Sequence, residues 1–244
     1  MRRLLLLAAV VVAGLLVWRL ATDPDEVSRT RAVQEFRSQG GSVATGPPPQ
    51  PGVYSYALRG RECAGFGPIC LPRDLPGRAR LTVSRQGDRI VHTLALSANH
   101  IEAETLVRRA DGLYLTAQRT KIAFIGVERD DRRRARPVTL ALPRVLRVGL
   151  RWTQRFNVGS LPAERSSRVL RRERVSVAGR SFQTFVIERK STTGGSFAGS
   201  ETALSWYAPA LGLDVRRRVE QRVTRPFRFS LDYEANLLTA TAAT

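Results

Sequence analysis

Histidine, cysteine and paired carboxylates are the side chains that most readily do chemistry, and this 244-residue chain is sparing with the first two. Its histidines are His92 and His100, and its cysteines are Cys63 and Cys70. His92 sits in Arg89-Ile90-Val91-His92-Thr93-Leu94, an alternating strand pattern in which a hydrogen-bonded sheet histidine is a better expectation than a general base. His100 follows Ser97-Ala98-Asn99, a turn that predicts an exposed ring. Glu102 and Glu104 share one face of any strand there. Such a pair can divide acid and base work between its carboxyls, but the neighbouring Arg108 and Arg109 point to surface pairing instead. No Gly-flanked serine elbow, phosphate loop or His-Glu-X-X-His pattern occurs. The expectation is a protein with no catalytic residues, no cofactor and no metal, hence not an enzyme.

Cys63 and Cys70 bracket Ala64-Gly65-Phe66-Gly67-Pro68-Ile69, where two glycines and a proline let the chain double back. In an oxidising compartment a disulfide is the default for such a pair. Unpaired thiols are the alternative. A metal or redox site is weaker still, since no second pair or nearby histidine accompanies them and the spacing is not the two-residue gap of a redox motif.

The charge invites a different chemistry. Forty basic residues against 21 acidic ones give a net charge of +19, which suggests nucleic acid as a partner. Only Lys121 and Lys190 are lysines, so 40 − 2 leaves 38 arginines, a bias that reflects base composition at least as much as phosphate binding. The aromatic series Phe227, Phe229 and Tyr233 falls on the strand face opposite Arg228, as a core requires. A stacking platform for single strands needs aromatics and cations together. The expectation is no nucleic-acid partner. The remaining polyanions are lipid headgroups and acidic envelope polymers, to which a basic surface is drawn.

The elements that must position these residues are predicted as follows. Met1-Arg2-Arg3 precedes an uncharged run from Leu4 to Trp18, the pattern of a signal anchor or a secretory signal. Val17-Trp18-Arg19-Leu20 supplies no small-residue cleavage site, so residues 1–22 read as an uncleaved transmembrane helix, with a cleaved signal as the alternative. The basic start places the rest of the chain outside the cytoplasm. Residues 23–52 read as a polar and Pro-rich linker ending in Gly46-Pro47-Pro48-Pro49-Gln50-Pro51-Gly52. The folded domain is expected over 53–244.

Within that domain the apolar period is two. Tyr54, Tyr56 and Leu58 share a face, as do Val215 and Val219, and as do Phe229, Leu231 and Tyr233. Gln86-Gly87-Asp88, Ala110-Asp111-Gly112, Ala178-Gly179-Arg180 and Gly194-Gly195 mark turns at hairpin intervals. The fold class is mainly β, antiparallel, with about ten strands. Arg132-Arg133-Arg134 is expected in a loop. Arg217 lies inside a strand and points to its apolar face, where it pairs with an acid or marks the rim of a cavity.

Three segments carry a resemblance. They are Val148-Gly149-Leu150-Arg151-Trp152, the hairpin from Val175 to Ile187 around Ala178-Gly179, and the corner Trp206-Tyr207-Ala208-Pro209-Ala210-Leu211-Gly212-Leu213-Asp214-Val215. In that order they resemble an uncharacterised family of bacterial cell-envelope proteins whose fold is similar to the β half-barrel of the lipoprotein carrier LolA. The resemblance spans about Arg147 to Val223. It implies a curved sheet whose concave face shelters a lipid or other amphiphile, with Val215, Val219, Phe229 and Leu231 as lining. The sequence-level reading is therefore a membrane-anchored extracytoplasmic half-barrel that binds an apolar or amphiphilic ligand. The alternative is an interaction module that docks anionic envelope polymers or a protein partner through its basic face.

Overall fold

The structure, a computed structural model, describes residues 41–243 apart from 66–68, 125–126, 196–197 and 226. The membrane segment expected over 1–22 lies outside the described residues. No helix among the described residues is long and apolar enough to cross a membrane.

The alternating segments become strands. In chain order they are β1 (Val43–Ala44), β2 (Gly52–Gly65), β3 (Leu71–Asp74), β4 (Arg78–Gln86), β5 (Arg89–Ser97), β6 (His100–Arg109), β7 (Gly112–Phe124) and β8 (Val127–Pro143). There follow β9 (Val145–Leu146), β10 (Arg151–Val158), β11 (Leu161–Val177), β12 (Arg180–Thr193), β13 (Gly199–Ala208), β14 (Leu213–Val223) and β15 (Arg228–Leu237). Twelve of them, all but β1, β3 and β9, run antiparallel in sequence order around one sheet. The sheet closes because β15 pairs with β2, from Arg228 opposite Gly65 to Leu237 opposite Tyr56. The expected half-barrel is therefore a closed barrel. Alternation predicts a sheet with one buried face; an open curved sheet and a closed one carry the same pattern, and only the first-to-last pairing separates them.

Short turns hold the register. At Ala178-Gly179 both residues take positive φ, 48° and 77°, as a two-residue hairpin turn demands when its twist must match the flanking strands. The run Arg132-Arg133-Arg134, expected in a loop, lies within β8 and pairs with Arg119, Gln118 and Ala117 of β7. One seam is short. Strand β8 meets β10 only where Ala135 and Arg136 pair with Val158 and Asn157. Beyond them the Gln154 side-chain amide donates to the Leu140 carbonyl.

Short segments pack at both ends of the barrel. At one, residues 43–46, from the stretch expected to be linker, lie across the opening. Val43 and Ala44 pair with Leu146 and Val145 of β9, Thr45 is buried, and its carbonyl accepts the Tyr207 hydroxyl at 2.6 Å. At the other, the Cys63–Cys70 disulfide is formed, with an S–S distance of 2.05 Å, and ties the end of β2 to the start of β3. Strand β3 then lays Arg73 over the Phe124 ring, 4.6 Å from its centroid.

Inward positions carry the core: Tyr54, Leu58, Val83, Leu96, Leu115 and Ile187 are all buried. Outward positions on β14 and β15 are Arg216, Arg218, Glu220, Arg228, Asp232 and Glu234, a face that belongs in water. Lipid-facing arginine at a bilayer midplane costs about 2–4 kcal/mol each.

The closing seam depends on Gly60, whose φ is +146°. A Cβ there meets the Asp232 carbonyl oxygen at 2.1 Å, whereas at Gly179 nothing lies within 4 Å. Gly60→Ala is expected to cost more than the ~1–3 kcal/mol of a left-handed non-glycine residue, and Gly179→Ala no more than that. Urea denaturation of the two variants beside the parent checks the order.

Candidate functional site

Closure leaves a chamber of about 380 Å³ inside the barrel. Its wall is apolar in part, with Leu81, Leu94, Leu106, Leu113, Leu142 and Phe229 from six strands. The rest is a charged belt. Arg165 on β11, Arg189 on β12 and Arg217 on β14 face Glu102 and Glu104 on β6, Glu201 on β13 and Asp214 on β14. Alternation supplies most of these groups; Asp214 and Arg217, three apart on β14, both reach the chamber because the register with β13 shifts between Trp206 and Tyr207. Arg165 shares the inward face of Leu161, Ser167 and Val169, and Arg217 shares that of Val215 and Val219.

Most of the belt is paired. Arg165 Nε donates to Ser191 Oγ at 3.0 Å, and its guanidinium lies 3.8 Å from Glu104. Gln118 donates to the same Glu104 carboxylate at 3.2 Å. Arg189 donates to Ser205 Oγ at 2.9 Å and lies 3.8 Å from Asp214. Burial alone raises the Glu104 carboxyl, but Arg165, Arg217 and Arg189 outweigh it and hold it below the usual range. Glu201 differs: burial dominates and its carboxyl is raised, so it takes up a proton more readily than Glu102 and Glu104.

Beside the belt runs a buried chain of four charged groups. Arg73 Nε donates to Glu62 at 2.7 Å, the other Glu62 oxygen lies 2.7 Å from His100 Nδ1, and His100 Nε2 lies 3.6 Å from Glu102. Glu62 and His100 are fully buried. Burial disfavours the His100 cation, yet the neighbouring Glu102 and Glu62 carboxylates prevail and push its pKa up to about 9. Burial raises Glu62 in turn, and His100 and Arg73 bring it below the usual range. Pairing is what lets these charges stay inside, because an unpaired buried ion costs several kcal/mol.

Two polar groups of the chamber wall, Arg217 Nε and His92 Nε2, have no hydrogen-bond partner, and neither do Tyr233 Oη and His100 Nε2, which are not part of the lining. Burial lowers the His92 pKa, which keeps the ring neutral. The expected sheet histidine thus borders the chamber with one nitrogen unsatisfied. The ring of His100, expected to be exposed after its turn, opens β6 facing inward. Glu102 and Glu104, expected on the surface, face the chamber instead.

The four expected lining residues, Val215, Val219, Phe229 and Leu231, are all buried on the inward face. Phe229 borders the chamber; the other three are not part of its lining. Sequence reasoning missed Arg165, Arg189 and Glu201. The available signal was a charged residue on the apolar face of each of three consecutive strands. Among the described residues no cluster of His, Cys, Asp and Glu is arranged to hold a metal ion.

The chain has no significant match to any family model, curated protein or solved structure. What the chamber does must be argued from its own geometry.

The His100 pairing has a pH signature. A histidine raised from about 6.5 when unfolded to about 9 when folded contributes stability that is complete below about pH 6.5. That contribution is lost as pH rises through about 9. Thermal unfolding of the parent between pH 6 and 10 is expected to show this decline, and His100→Gln to lack it.

Proposed function

We propose that the protein is a binding barrel, not an enzyme, that encloses one amphiphilic molecule. The ligand's apolar part lies along the leucine wall and its polar part against the charged belt. The observation that carries this reading is the pairing of an apolar wall with unsatisfied buried polar groups in one chamber. Unsatisfied groups of this kind cost roughly 1–3 kcal/mol each, and a bound polar head offsets that cost. A chamber of about 380 Å³ is within the range of small-molecule sites.

Lipid is the amphiphile class that the resemblance to envelope carriers suggests, and the fold is compatible with that likeness. The disulfide suits an oxidising compartment, which supports placement outside the cytoplasm, with the N-terminal basic and apolar segment as the tether to the cytoplasmic membrane. Docking to anionic polymers through the outer face has less support. Arg155, Arg171 and Arg218 there are held by Glu164, Glu173 and Glu220 at 3.2, 2.8 and 3.3 Å.

Ala203 is buried and lines the chamber. Ala203→Phe is expected to fill it at a cost of about 1–3 kcal/mol of stability. Native mass spectrometry of the parent incubated with a single-chain amphiphile should show one bound molecule, the filled variant none, and the outward change Arg132→Glu no difference. Equal binding by the parent and Ala203→Phe would place the ligand elsewhere and refute the reading.

A further inference from the structure

The charges of the belt do not cancel evenly. Arg165 is matched by Glu104, Arg189 by Asp214, and His100 by Glu102, while Glu62 is taken by Arg73. Two charged groups remain, Arg217 and Glu201. Neither has an ion pair within 4 Å among the described residues, and they do not pair with each other. They are not equivalent. A guanidinium stays charged at any physiological pH, whereas a carboxyl can be neutralised by a proton. The belt group that is permanently charged and has no ion pair of its own is therefore Arg217, which feels Glu102, Glu201 and Asp214 only at longer range.

The surroundings of Arg217 fit the same conclusion. Its Nε has no acceptor. Tyr233 faces inward on β15, where it pairs with Val219, while Arg217 pairs with Ala235. The two are thus diagonal neighbours on adjacent strands, within reach of one another's ends. The Tyr233 hydroxyl is a donor without a protein acceptor. Across the interior, His92 Nε2 is likewise unpartnered. A chamber-lining guanidinium with an Nε–H lacking an acceptor favours an oxygen-rich anion.

Resting on the chamber reading above, we infer that the polar head of the ligand is an oxyanion, a carboxylate or a phosphate monoester, bound by the Arg217 guanidinium, which lines the chamber. The planar guanidinium fits both head types, since each presents two oxygens to its fork.

Four probes with the same decyl tail separate the possibilities: decanoate, decyl phosphate, decanol and decyltrimethylammonium. Each is titrated calorimetrically into the full chain below its micelle concentration. Decanoate or decyl phosphate is expected to bind more tightly than decanol by about 10- to 100-fold, the range of a charge-assisted hydrogen bond. The cation is expected to bind worst. Whichever anion binds better names the head. Arg217→Gln should erase the advantage of the anion over decanol, and Arg217→Lys should restore part of it. Circular dichroism confirms that each variant has the parent's strand content. If all four probes bind alike, or the advantage survives Arg217→Gln, the head assignment is overturned while the chamber reading stands. If none binds, the chamber reading itself fails.

Discussion

The pairing of β15 with β2 is the constraint on which the rest of the structure depends. An open sheet leaves two edges with unpaired backbone groups and a concave face that water can reach; a closed sheet leaves neither. Once Arg228–Leu237 lies along Tyr56–Gly65, every inward side chain is enclosed. A barrel of about eight strands is filled by its own side chains. Twelve strands enclose more than theirs fill, and the residue is the chamber. Charges that alternation turned inward then have to find partners or remain unsatisfied, which is why the belt consists of pairs with a remainder.

Much of the fold was legible in the sequence. The alternation of Phe229, Leu231 and Tyr233, the turn at Ala178-Gly179 and the Cys63–Cys70 loop depend on local chemistry, and the structure has each of them. Closure was not legible, because it joins residues about 170 positions apart through backbone hydrogen bonds that no side-chain pattern encodes. The site was legible only in fragments. Arg217 could be placed on the apolar face from Val215 and Val219. Arg165, Arg189 and Glu201 each look like a single polar exception on an ordinary strand, and only the closed geometry brings them together. His100 was misread because Ser97-Ala98-Asn99 does form the turn. The first residue after a two-residue turn can still face inward, and Glu62 supplies the partner that makes burial affordable.

The net charge of +19 now divides into two populations. Most arginines occupy outward positions, where acids two residues away or on the next strand partly offset them and solvent screens the rest. The inward ones are few and nearly balanced. The total says little about recognition, whereas Arg217, which lines the chamber and has no ion pair within 4 Å among the described residues, says a good deal.

The short seam between β8 and β10 has its own consequence. Resistance to separation between neighbouring strands scales with the ladder they share, and here that ladder is Ala135 and Arg136 against Val158 and Asn157. Every other joint in the wall is longer. Local opening of the wall follows the joints with the fewest shared backbone hydrogen bonds. Like a cask with one loose stave, the barrel is expected to loosen first along this seam.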